Sequence, residues 1–481
     1  MNESAKNKSS VLGMIGLGTM GRNLLLNMAD HGYAVSGFDV DPKKVVLLKE
    51  DSKDANIKGF NALSELVSNL KTPRIVMLLV PAGKIVDNVI QDLLPLIEKG
   101  DIIIDAGNSY FKDTDRRVQE LENKGIHYFG MGVSGGEEGA RNGPSMMPGG
   151  DKEAYEVVRP MLEAVAAKVK GEPCVTYIGP GASGHFVKMV HNGIEYGLMQ
   201  LIAETYEILK KGLNLSNEEI QQVFQKWNEG ILQSYLLEIS RDIFAYKEAG
   251  SDHLLLDDIK DEAKAKGTGK WTSQIAMDLS LPIPGIDVAV SMRDLSKYKE
   301  LRVQTAALYS NKKTIFFQEE NKFSFIEELE EAFYFAMIIT YAQGMHLLRK
   351  ASEEYKYQLK LDQIAKIWRG GCIIRSRFLE TIYDAFLQDQ DLPHLLLNSS
   401  VELIMKKNLP SLQSVVISAI SHGVAIPAYT SSLSYFDTLR SENMPSNLIQ
   451  AQRDYFGAHT YERIGKEGTF HTRWEDSIIT K

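Results

Sequence analysis

A chain of 481 residues is long enough for two or three domains, and its 44% hydrophobic and 24% charged residues are ordinary for a globular protein. The formal net charge of −9 argues against non-specific binding to nucleic acid, although a local basic cluster could still hold an anion. The two cysteines, Cys174 and Cys372, are far apart and lack metal-ligand spacing, which rules out a disulfide framework and argues against a zinc site.

The first ten residues carry no recognisable targeting signal. Residues 1–10 are polar and lack the apolar core of a signal peptide, so we expect a disordered N-terminus. No apolar run in the sequence is long enough to cross a bilayer. We therefore expect a cytoplasmic protein that does not contact a membrane.

Residues 11–180 alternate short apolar segments with helical patterns. The predicted strands are 11–15, 35–39, 74–80, 101–107, 127–133 and 175–179. Strands nearly continuous in Val, Ile and Leu, separated by helices, are typical of a doubly wound, largely parallel sheet. We therefore predict an α/β Rossmann-like dinucleotide-binding domain that ends near the turn-rich segment 179–183.

Residues 181–464 are predicted to form a large all-helical domain, since helical periodicity dominates and strand signals nearly vanish. Trp227-x-x-Gly230 is echoed by Trp368-x-x-Gly371, and Gly197 loosely parallels Gly344. Two related helical bundles would explain these echoes, with chance similarity as the alternative. Residues 465–481 are polar and aromatic and are predicted to be a C-terminal tail, either loose or docked on a partner.

The segment GLGTMG at 16–21 follows a predicted strand and opens a helix. In this fingerprint Gly16 allows the tight turn, Gly18 lets a pyrophosphate approach the backbone, and Gly21 permits close helix–strand packing. Asp39 ends the second predicted strand, where its carboxylate would reach the hydroxyls of an adenine ribose. Together these features predict dinucleotide binding.

The residues after the second strand bear on which dinucleotide binds. Asp39 would repel the 2′-phosphate of NADP, and Val40 and Asp41 add a second carboxylate but no arginine. Lys43 and Lys44 could partly compensate, or could be solvated residues of the next helix. The pattern favours NAD over NADP.

A polar stripe interrupts the first long helix of the second domain. At 3.6 residues per turn Lys188, Asn192 and Glu195 share one face, with His191 and Tyr196 beside it. A solvated face is the alternative, but the matching helix of the repeat carries no such Lys and Glu, so the scaffold does not require them. A neutral, desolvated lysine can take a hydroxyl proton as hydride leaves the same carbon, and a carboxylic acid can protonate a carbanion-like carbon.

Two glycine-rich segments supplement this stripe. Residues 134–150 follow a strand, and the Ser-Gly-Gly at 134–136 offers backbone N–H groups and a hydroxyl to an anion; a merely tight loop is the alternative. Residues 266–270 (KGTGK) place a lysine and a threonine beside glycines, but without the spacing of a Walker A loop.

Five segments together resemble the 6-phosphogluconate dehydrogenase family, namely 105–109, 134–150, 171–197, 266–272 and 451–462. The resemblance extends over about residues 11–475. It implies a Rossmann-like domain and an all-helical domain at 181–464 that contains a duplication and serves substrate binding and dimerisation. It also implies a C-terminal tail that threads into the partner of a homodimer. It also implies oxidation and decarboxylation of 6-phosphogluconate without a metal.

The resemblance assigns roles by position. Lys188 would be the base that takes the C3 hydroxyl proton, and Glu195 would be the acid that protonates C1. The sugar acid would be held by Asn108, Ser134, Gly135, Gly136, His191 and Asn192. Its phosphate would be received by Tyr196, Lys266, Thr268 and Arg293, and by Arg453 and His459 from the neighbouring subunit. The expected cofactor residues are Gly16, Gly18, Thr19, Met20, Gly21, Asp39, Val80, Ala82 and Asn108.

The departure from the family lies at the cofactor. NADP-using members carry Asn-Arg-Thr where this chain has Asp39-Val40-Asp41. Two alternatives remain at this point. One is a non-decarboxylating β-hydroxyacid dehydrogenase of the 3-hydroxyisobutyrate type, although such enzymes are shorter and lack the second bundle. The other is a catalytically silent nucleotide-binding protein on the same fold.

Overall fold

The computed structural model describes residues 9–52, 56–248, 250, 253–309 and 319–474. The chain divides into two compact units, Met1–Ser432 and Leu433–Lys481. The predicted disordered N-terminus lies mostly outside the described residues. Its last member, Ser10, is instead buried, because its hydroxyl lies 2.6 Å from the hydroxyl of Ser36.

Seven strands form one sheet in the order β3-β2-β1-β4-β5-β6-β7. They are β1 (Leu12–Ile15), β2 (Val35–Phe38), β3 (Ile57–Phe60), β4 (Ile75–Leu78), β5 (Ile102–Asp105), β6 (His127–Ser134) and β7 (Ser145–Gly150). All neighbours are parallel except β6 and β7. The chain direction across the sheet reverses between β1 and β4, which places a ligand crevice at the carboxyl ends of these strands.

The sequence analysis placed five of these strands and missed two. Both β3 and β7 contain glycine, and β7 also contains Pro148, so neither looked like a strand. The strand predicted at 175–179 is wrong: this segment runs beside β7, but only Val175 forms a bridge, with Met146. Pro148 has no N–H to donate, which prevents a regular ladder there.

Helices cover both faces of this sheet. They are α1 (Thr19–Asp30), α2 (Pro42–Asp51), α3 (Leu63–Ser68), α4 (Lys84–Leu93), α5 (Phe111–Glu122), α6 (Gly136–Asn142) and α7 (Lys152–Val165). A short hairpin of β8 (Lys168–Val169) and β9 (Glu172–Pro173) follows.

The remainder of the chain is mainly helical, as predicted. Its helices are α8 (Ser183–Glu207), α9 (Asn217–Glu229), α10 (Tyr235–Ile243), α11 (Leu255–Asp258), α12 (Thr268–Asp278), α13 (Pro284–Ser296), α14 (Lys299–Leu308), α15 (Glu319–Tyr355), α16 (Leu361–Trp368), α17 (Phe378–Gln388), α18 (Ser399–Ser421), α19 (Pro427–Leu439) and α20 (Ser446–Gly457). A π-helical turn at Ile208–Gly212 extends α8, and a 3₁₀ turn lies at Leu395–Leu397.

The two glycines that the predicted duplication pairs, Gly197 and Gly344, lie where α8 and α15 cross. A Cβ added at Gly197 of α8 would lie 2.6 Å from Thr340 of α15, and one added at Gly344 of α15 would lie 2.4 Å from Ile194 of α8. Each repeat thus supplies a glycine at the contact with the other. Ser234 and Ser376, which follow the two Trp-x-x-Gly segments, pair in an antiparallel bridge.

The second unit contains α20 and a two-stranded hairpin, β10 (Tyr461–Arg463) and β11 (Lys466–Phe470). Its centre is the buried carboxylate of Asp454, which accepts hydrogen bonds from the Thr472 N–H and the Trp474 indole. Part of the predicted tail is therefore a strand of this unit, and residues 475–481 lie outside the described residues.

Candidate active site

The three fingerprint glycines have different surroundings at the turn between β1 and α1. Gly16 adopts a φ of +99°, and a Cβ there would lie 2.4 Å from the Leu79 carbonyl oxygen. A Cβ at Gly21 would lie 1.9 Å from the carbonyl oxygen of Gly16, so the helix packs directly on the turn. A Cβ at Gly18 would meet no described atom within 4 Å. Gly18 caps α1, so a phosphate can approach the helix N-terminus along this open side.

Two adjoining clefts of about 760 and 720 Å³ run along this edge of the sheet and share Gly18, Leu79, Val80 and Pro81. The first cleft extends to Asp39 and Val40. The second extends to Ala82 and Asn108. All residues predicted to bind the cofactor line one cleft or the other: Gly16, Gly18, Thr19, Met20, Gly21, Asp39, Val80, Ala82 and Asn108.

The second cleft also includes residues that the sequence analysis missed. Tyr110, Val133 and Trp271 line it together with Lys266, which was expected at the substrate phosphate. Tyr110 lies just beyond the predicted segment 105–109, and Trp271 lies within the segment 266–272, so a signal for both existed in the matching stretches. The structure thus brings Lys266, the first residue of KGTGK, to the second cleft.

Asp39 is held firmly at the end of the first cleft. Its Oδ2 accepts a hydrogen bond from the Leu17 N–H at 2.8 Å, and its Oδ1 accepts from the Asp41 N–H at 2.9 Å. Lys44 Nζ lies 3.2 Å from Oδ2, so this lysine is an ion-pair partner of Asp39 and not simply solvated. The side chain of Val40 is 88% exposed.

The polar stripe on α8 is buried, so its interpretation as a solvated face is wrong. Lys188 is 6% exposed, Asn192 is 8% exposed and His191 is fully buried. Lys188 packs on β6, since a Cβ added at Gly132 would lie 2.3 Å from the Cβ of Lys188. Trp271 of α12 lines the second cleft, and the hydroxyl of the next residue, Thr272, donates to the Met189 carbonyl oxygen of α8 at 2.9 Å, so the stripe lies close to this cleft.

His191 connects the stripe to the glycine-rich segment. Its Nδ1 lies 3.4 Å from Lys188 Nζ and 3.2 Å from Asn192 Oδ1. Its Nε2 lies 3.2 Å from Ser134 Oγ, which accepts a hydrogen bond from the Ile373 N–H at 3.4 Å. The arrangement is a continuous polar chain from Ser134 to Lys188.

Glu195 lies near this chain without a hydrogen bond to it, with its Oε2 3.9 Å from His191 Nδ1 and its side chain 21% exposed. Burial lowers the pKa of Lys188, opposed by the negative charge of Glu195. Burial raises the pKa of Glu195, opposed by Lys188 and Arg293. Burial also lowers the pKa of His191 well below its usual value, with Lys188 adding to the effect. Burial thus shifts the pKa of each of the three groups in the direction that favours its uncharged form.

The residues expected at the substrate phosphate are partly brought together. The Arg293 guanidinium lies 3.6 Å from the centre of the Tyr196 ring. A Cβ at Gly269 would lie 2.5 Å from the same ring, which packs the start of α12, including the buried Thr268, against α8. Arg453 and His459 belong to the second unit, where both are exposed at the end of α20 and beyond it.

The second repeat also contributes to the site. A Cβ at Gly135 (φ +116°) would lie 2.6 Å from the carbonyl oxygen of Gly371, so these two glycine-containing turns are in backbone contact. The Trp368 ring lies edge-on to His191, with 5.5 Å between centroids. The sequence analysis noted Trp368 and Gly371 only as repeat positions and missed their place beside Ser134 and His191. Gly136, at φ +64°, begins α6 next to them.

Neither a metal-ligand cluster nor a membrane-spanning helix is found among the described residues. No group of three or more His, Cys, Asp or Glu side chains there could hold a metal ion. No described helix combines the length and apolarity required of a membrane span. A metal-independent reaction and a cytoplasmic location remain predictions.

Comparison with known proteins assigns both halves of the chain. Residues 11–179 match the NAD binding domain of 6-phosphogluconate dehydrogenase, and residues 184–474 match the C-terminal domain of the same enzyme. A Bacillus subtilis (strain 168) relative described as "6-phosphogluconate dehydrogenase, NADP(+)-dependent, decarboxylating" is 50% identical over 463 residues, which is 96% of this chain and 98% of that protein.

Two further relatives agree. The Escherichia coli (strain K12) decarboxylating 6-phosphogluconate dehydrogenase is 48% identical, covering 97% of this chain and 99% of the relative. The Plasmodium falciparum 6-phosphogluconate dehydrogenase, solved apo and with NADP+ or 6-phosphogluconate, has a TM-score of 0.93 and 45% identity, covering 96% of this chain and all of that one.

Proposed function

The chain belongs to the 6-phosphogluconate dehydrogenase family, and we propose that it converts 6-phospho-D-gluconate into D-ribulose 5-phosphate and CO₂ with NAD as its preferred acceptor. The observation that carries this proposal is the stripe of buried Lys188 and His191 and partly exposed Glu195 beside the cofactor edge of the sheet. Decarboxylating relatives about half identical over nearly the whole chain favour it over a shorter, non-decarboxylating dehydrogenase or a silent scaffold.

The clefts fit a nicotinamide dinucleotide. The open side of Gly18 and the N-terminus of α1 suit the pyrophosphate, and Asp39 suits a ribose hydroxyl. Ala82 and Asn108 then face the other end of the molecule. When bound, the cofactor supplies the hydride acceptor for the oxidation.

Lys188 starts the reaction as the base. Because burial lowers the pKa of Lys188, its neutral Nζ can take the proton of the C3 hydroxyl while hydride leaves C3. The product is a 3-keto acid whose ketone lies β to the carboxylate. The Lys188 ammonium then donates a hydrogen bond to the C3 oxygen, which stabilises the enediolate left after CO₂ departs.

Glu195 completes the reaction as the acid. Burial raises the pKa of Glu195, which favours the protonated carboxyl that can deliver its proton to C1 of the enediol. The tautomer of His191 can follow the protonation state of Lys188. A protonated Lys188 donates to Nδ1, so the imidazole proton lies on Nε2, which donates to Ser134 Oγ. Asn108, Ser134, Gly135, Gly136 and Asn192 hold the sugar acid in this scheme.

The preference for NAD rests on the first cleft. Asp39 presents a carboxylate where NADP would bring its 2′-phosphate, and the exposed Val40 stands where NADP-using members carry arginine. The named cofactor of the Bacillus subtilis relative and of the Plasmodium structure is NADP, so this chain differs from them at these positions. Lys44 is already paired with Asp39, which reduces the charge it can offer to a phosphate.

The phosphate site is completed by a second subunit in this proposal. Tyr196, Lys266, Thr268 and Arg293 come from one chain, and Arg453 and His459 come from the partner in a homodimer. The exposure of Arg453 and His459 on the second unit supports this, since both side chains are available to another chain. A dianionic phosphate favours such a combination of arginine forks and lysine.

The test is kcat/KM for 6-phosphogluconate oxidation with NAD and with NADP, with CO₂ release followed alongside absorbance. We expect one CO₂ per reduced cofactor and at least a tenfold preference for NAD, about 1.4 kcal/mol. A preference for NADP would contradict the cofactor assignment alone. Cofactor reduction without CO₂ would contradict the decarboxylating mechanism.

A further inference from the structure

Arg117 on α5 is an arginine buried in the sheet domain, with a side chain only 1% exposed. Arginine is almost never fully buried unless it is paired. Its Nε donates to Asp87 Oδ1 at 2.8 Å, and its Nη1 lies 3.5 Å from Asp105 Oδ2. Asp105 is itself completely buried. Arg117 therefore pairs with two carboxylates, that of Asp87 on α4 and that of Asp105 at the end of β5.

The same guanidinium also contacts two loops at the cofactor cleft. Nη2 donates to the carbonyl oxygen of Gly83 at 3.0 Å, and Nη1 donates to Ser109 Oγ at 3.4 Å. Gly83 ends the loop after β4 that carries Ala82, and Ser109 ends the loop after β5 that carries Asn108. Both Ala82 and Asn108 line the second cleft.

Asp105, the last residue of β5, holds the loop that carries Asn108 in place. It accepts hydrogen bonds from the Gly107 N–H at 3.1 Å, the Ser109 hydroxyl at 2.6 Å and the Tyr128 hydroxyl at 3.0 Å. The two loops nearly touch, since a Cβ at Gly107 would lie 3.1 Å from the Val80 carbonyl oxygen. Arg117 is thus the side chain that joins an already anchored loop to its neighbour.

We infer that Arg117 is a positioning residue, which fixes the spacing of the loops carrying Ala82 and Asn108 and so holds the cleft in the form that accepts the nicotinamide end of the cofactor. The inference rests on the proposed function for the identity of that ligand. The observation behind the inference is that the Arg117 guanidinium contacts both loops and the carboxylate of Asp105. A displacement of about 1 Å at a reacting centre costs up to about 10²-fold in rate.

The experiment compares Arg117→Met with Arg116→Met. Arg116 is the matched control because its Nη2 donates to the same Asp87 oxygen at 2.8 Å, while its side chain is 44% exposed and its partners Asp87 and Glu120 lie on helices and not on either loop. The readouts are the Kd of NADH or NADPH by fluorescence, whichever binds the wild type more tightly, and KM and kcat for 6-phosphogluconate. We expect Arg117→Met to weaken dinucleotide binding about tenfold and kcat by more, with Arg116→Met near wild type.

Arg117→Lys separates charge from bridging. A lysine keeps the positive charge beside Asp105 but has one ammonium in place of a fork that reaches both loops. We expect it to restore the unfolding temperature but not the dinucleotide Kd. If Arg117→Lys restored both, or if Arg117→Met lowered the unfolding temperature without changing Kd or kcat, Arg117 would be structural only and the inference would be wrong.

A second variant covers the case in which Arg117→Met fails to fold because Asp105 is left buried without its cation. The double variant Arg117→Met/Asp105→Asn removes both charges, and the Asn amide oxygen can still accept from the Gly107 N–H. We expect it to fold and to retain the weakened dinucleotide binding. Wild-type Kd in this folded variant would overturn the inference. Because dinucleotide binding is measured without 6-phosphogluconate, an error in the proposed substrate would leave this result unaffected.

Discussion

Lys44 Nζ lies 3.2 Å from Asp39 Oδ2, and this ion pair closes the end of the cleft where β2 passes into α2. Two backbone N–H groups, those of Leu17 and Asp41, also donate to the Asp39 carboxylate. Asp39 is therefore fixed in place before any ligand binds. A ribose hydroxyl can donate to it directly, whereas a 2′-phosphate would meet its negative charge and would have to draw Lys44 away.

The first prediction tests this arrangement by charge. Asp39→Asn combined with Val40→Arg removes a carboxylate and adds a guanidinium beside the ribose. We expect the ratio of kcat/KM for NADP over NAD to rise at least tenfold, about 1.4 kcal/mol. As a single change, Lys44→Met should lower kcat/KM with NADP below the wild-type value. Lys43→Met should change it little, because the contact of Lys43 with Asp41 is made by the backbone N–H, which this variant keeps. A ratio unmoved by the double variant would show that other residues choose the cofactor.

The second prediction concerns the base. Lys188→Met fills a similar buried volume without a titratable nitrogen, so the C3 proton has no acceptor and turnover should fall to background. The clefts lined by Gly18 and Asp39 are untouched, so NADH binding should remain within about threefold of wild type by the usual scatter of conservative changes. Turnover above a few per cent of wild type would exclude Lys188 as the base.

The third prediction follows from the opposed pKa shifts of Lys188 and Glu195. Burial lowers the pKa of Lys188 and raises that of Glu195, which brings the two pKa values together. The active form has a neutral lysine and a protonated glutamic acid, so activity rises as the pair loses its first proton and falls as it loses its second. The wild-type steady-state rate should therefore show both limbs. Single-turnover cofactor reduction precedes the Glu195 step and needs only the neutral lysine, so in Glu195→Gln it should rise with pH without a falling limb.

Removal of the Glu195 charge also removes the influence that raises the pKa of Lys188. The remaining rise should therefore reflect a Lys188 pKa lower than in the wild-type enzyme. Overall turnover should fall, because Gln cannot protonate C1. A falling limb that persists in the Gln variant would assign that limb to another group.

The sequence predicted the parts of this molecule that local patterns encode. The alternation of strand and helix, the fingerprint at Gly16, and the stripe at Lys188 were all readable, because each depends on neighbours within a few turns. Strand β7 was not, since SMMPGG becomes a strand only by pairing with β6. The roles of Trp368 and Arg117 were also hidden, because their partners lie far away in sequence and only the fold brings them together.

The fourth prediction is a pH-dependent stability. The Glu204 carboxylate on α8 is 3% exposed and accepts hydrogen bonds from the backbone N–H groups of Ala428 and Tyr429 at the start of α19. Burial raises the pKa of Glu204 to about 7. Between the pKa of Glu204 in the unfolded chain and about 7, the folded state holds a proton on Glu204 that the unfolded state has lost. The free energy of unfolding therefore falls as pH rises through this window.

Glu204→Gln keeps the acceptor oxygen and removes the titration. The wild-type free energy of unfolding should fall by on the order of 3 kcal/mol between about pH 4.5 and 7 from this group, and the Gln variant should lack that component. Urea unfolding at both pH values measures it. Equal pH dependence in the two proteins would mean that Glu204 does not titrate in this range.

The last prediction concerns the crossing of α8 and α15. A Cβ at Gly197 would lie 2.6 Å from Cγ2 of Thr340, closer than carbon atoms approach in folded proteins. Gly197→Ala gains up to about 1 kcal/mol of helix propensity, but overpacking of a tight core costs about 1–3 kcal/mol. We expect a lower midpoint of thermal unfolding and, since α8 also carries Lys188, a lower kcat.

Thr340→Ser removes the offending methyl while its hydroxyl can still donate to the Ala336 carbonyl oxygen, as Thr340 does at 3.0 Å. The double variant Gly197→Ala/Thr340→Ser should therefore be more stable than Gly197→Ala alone, a coupling between neighbours that two independent changes do not show. Additive losses would place the cost of the alanine somewhere other than this contact.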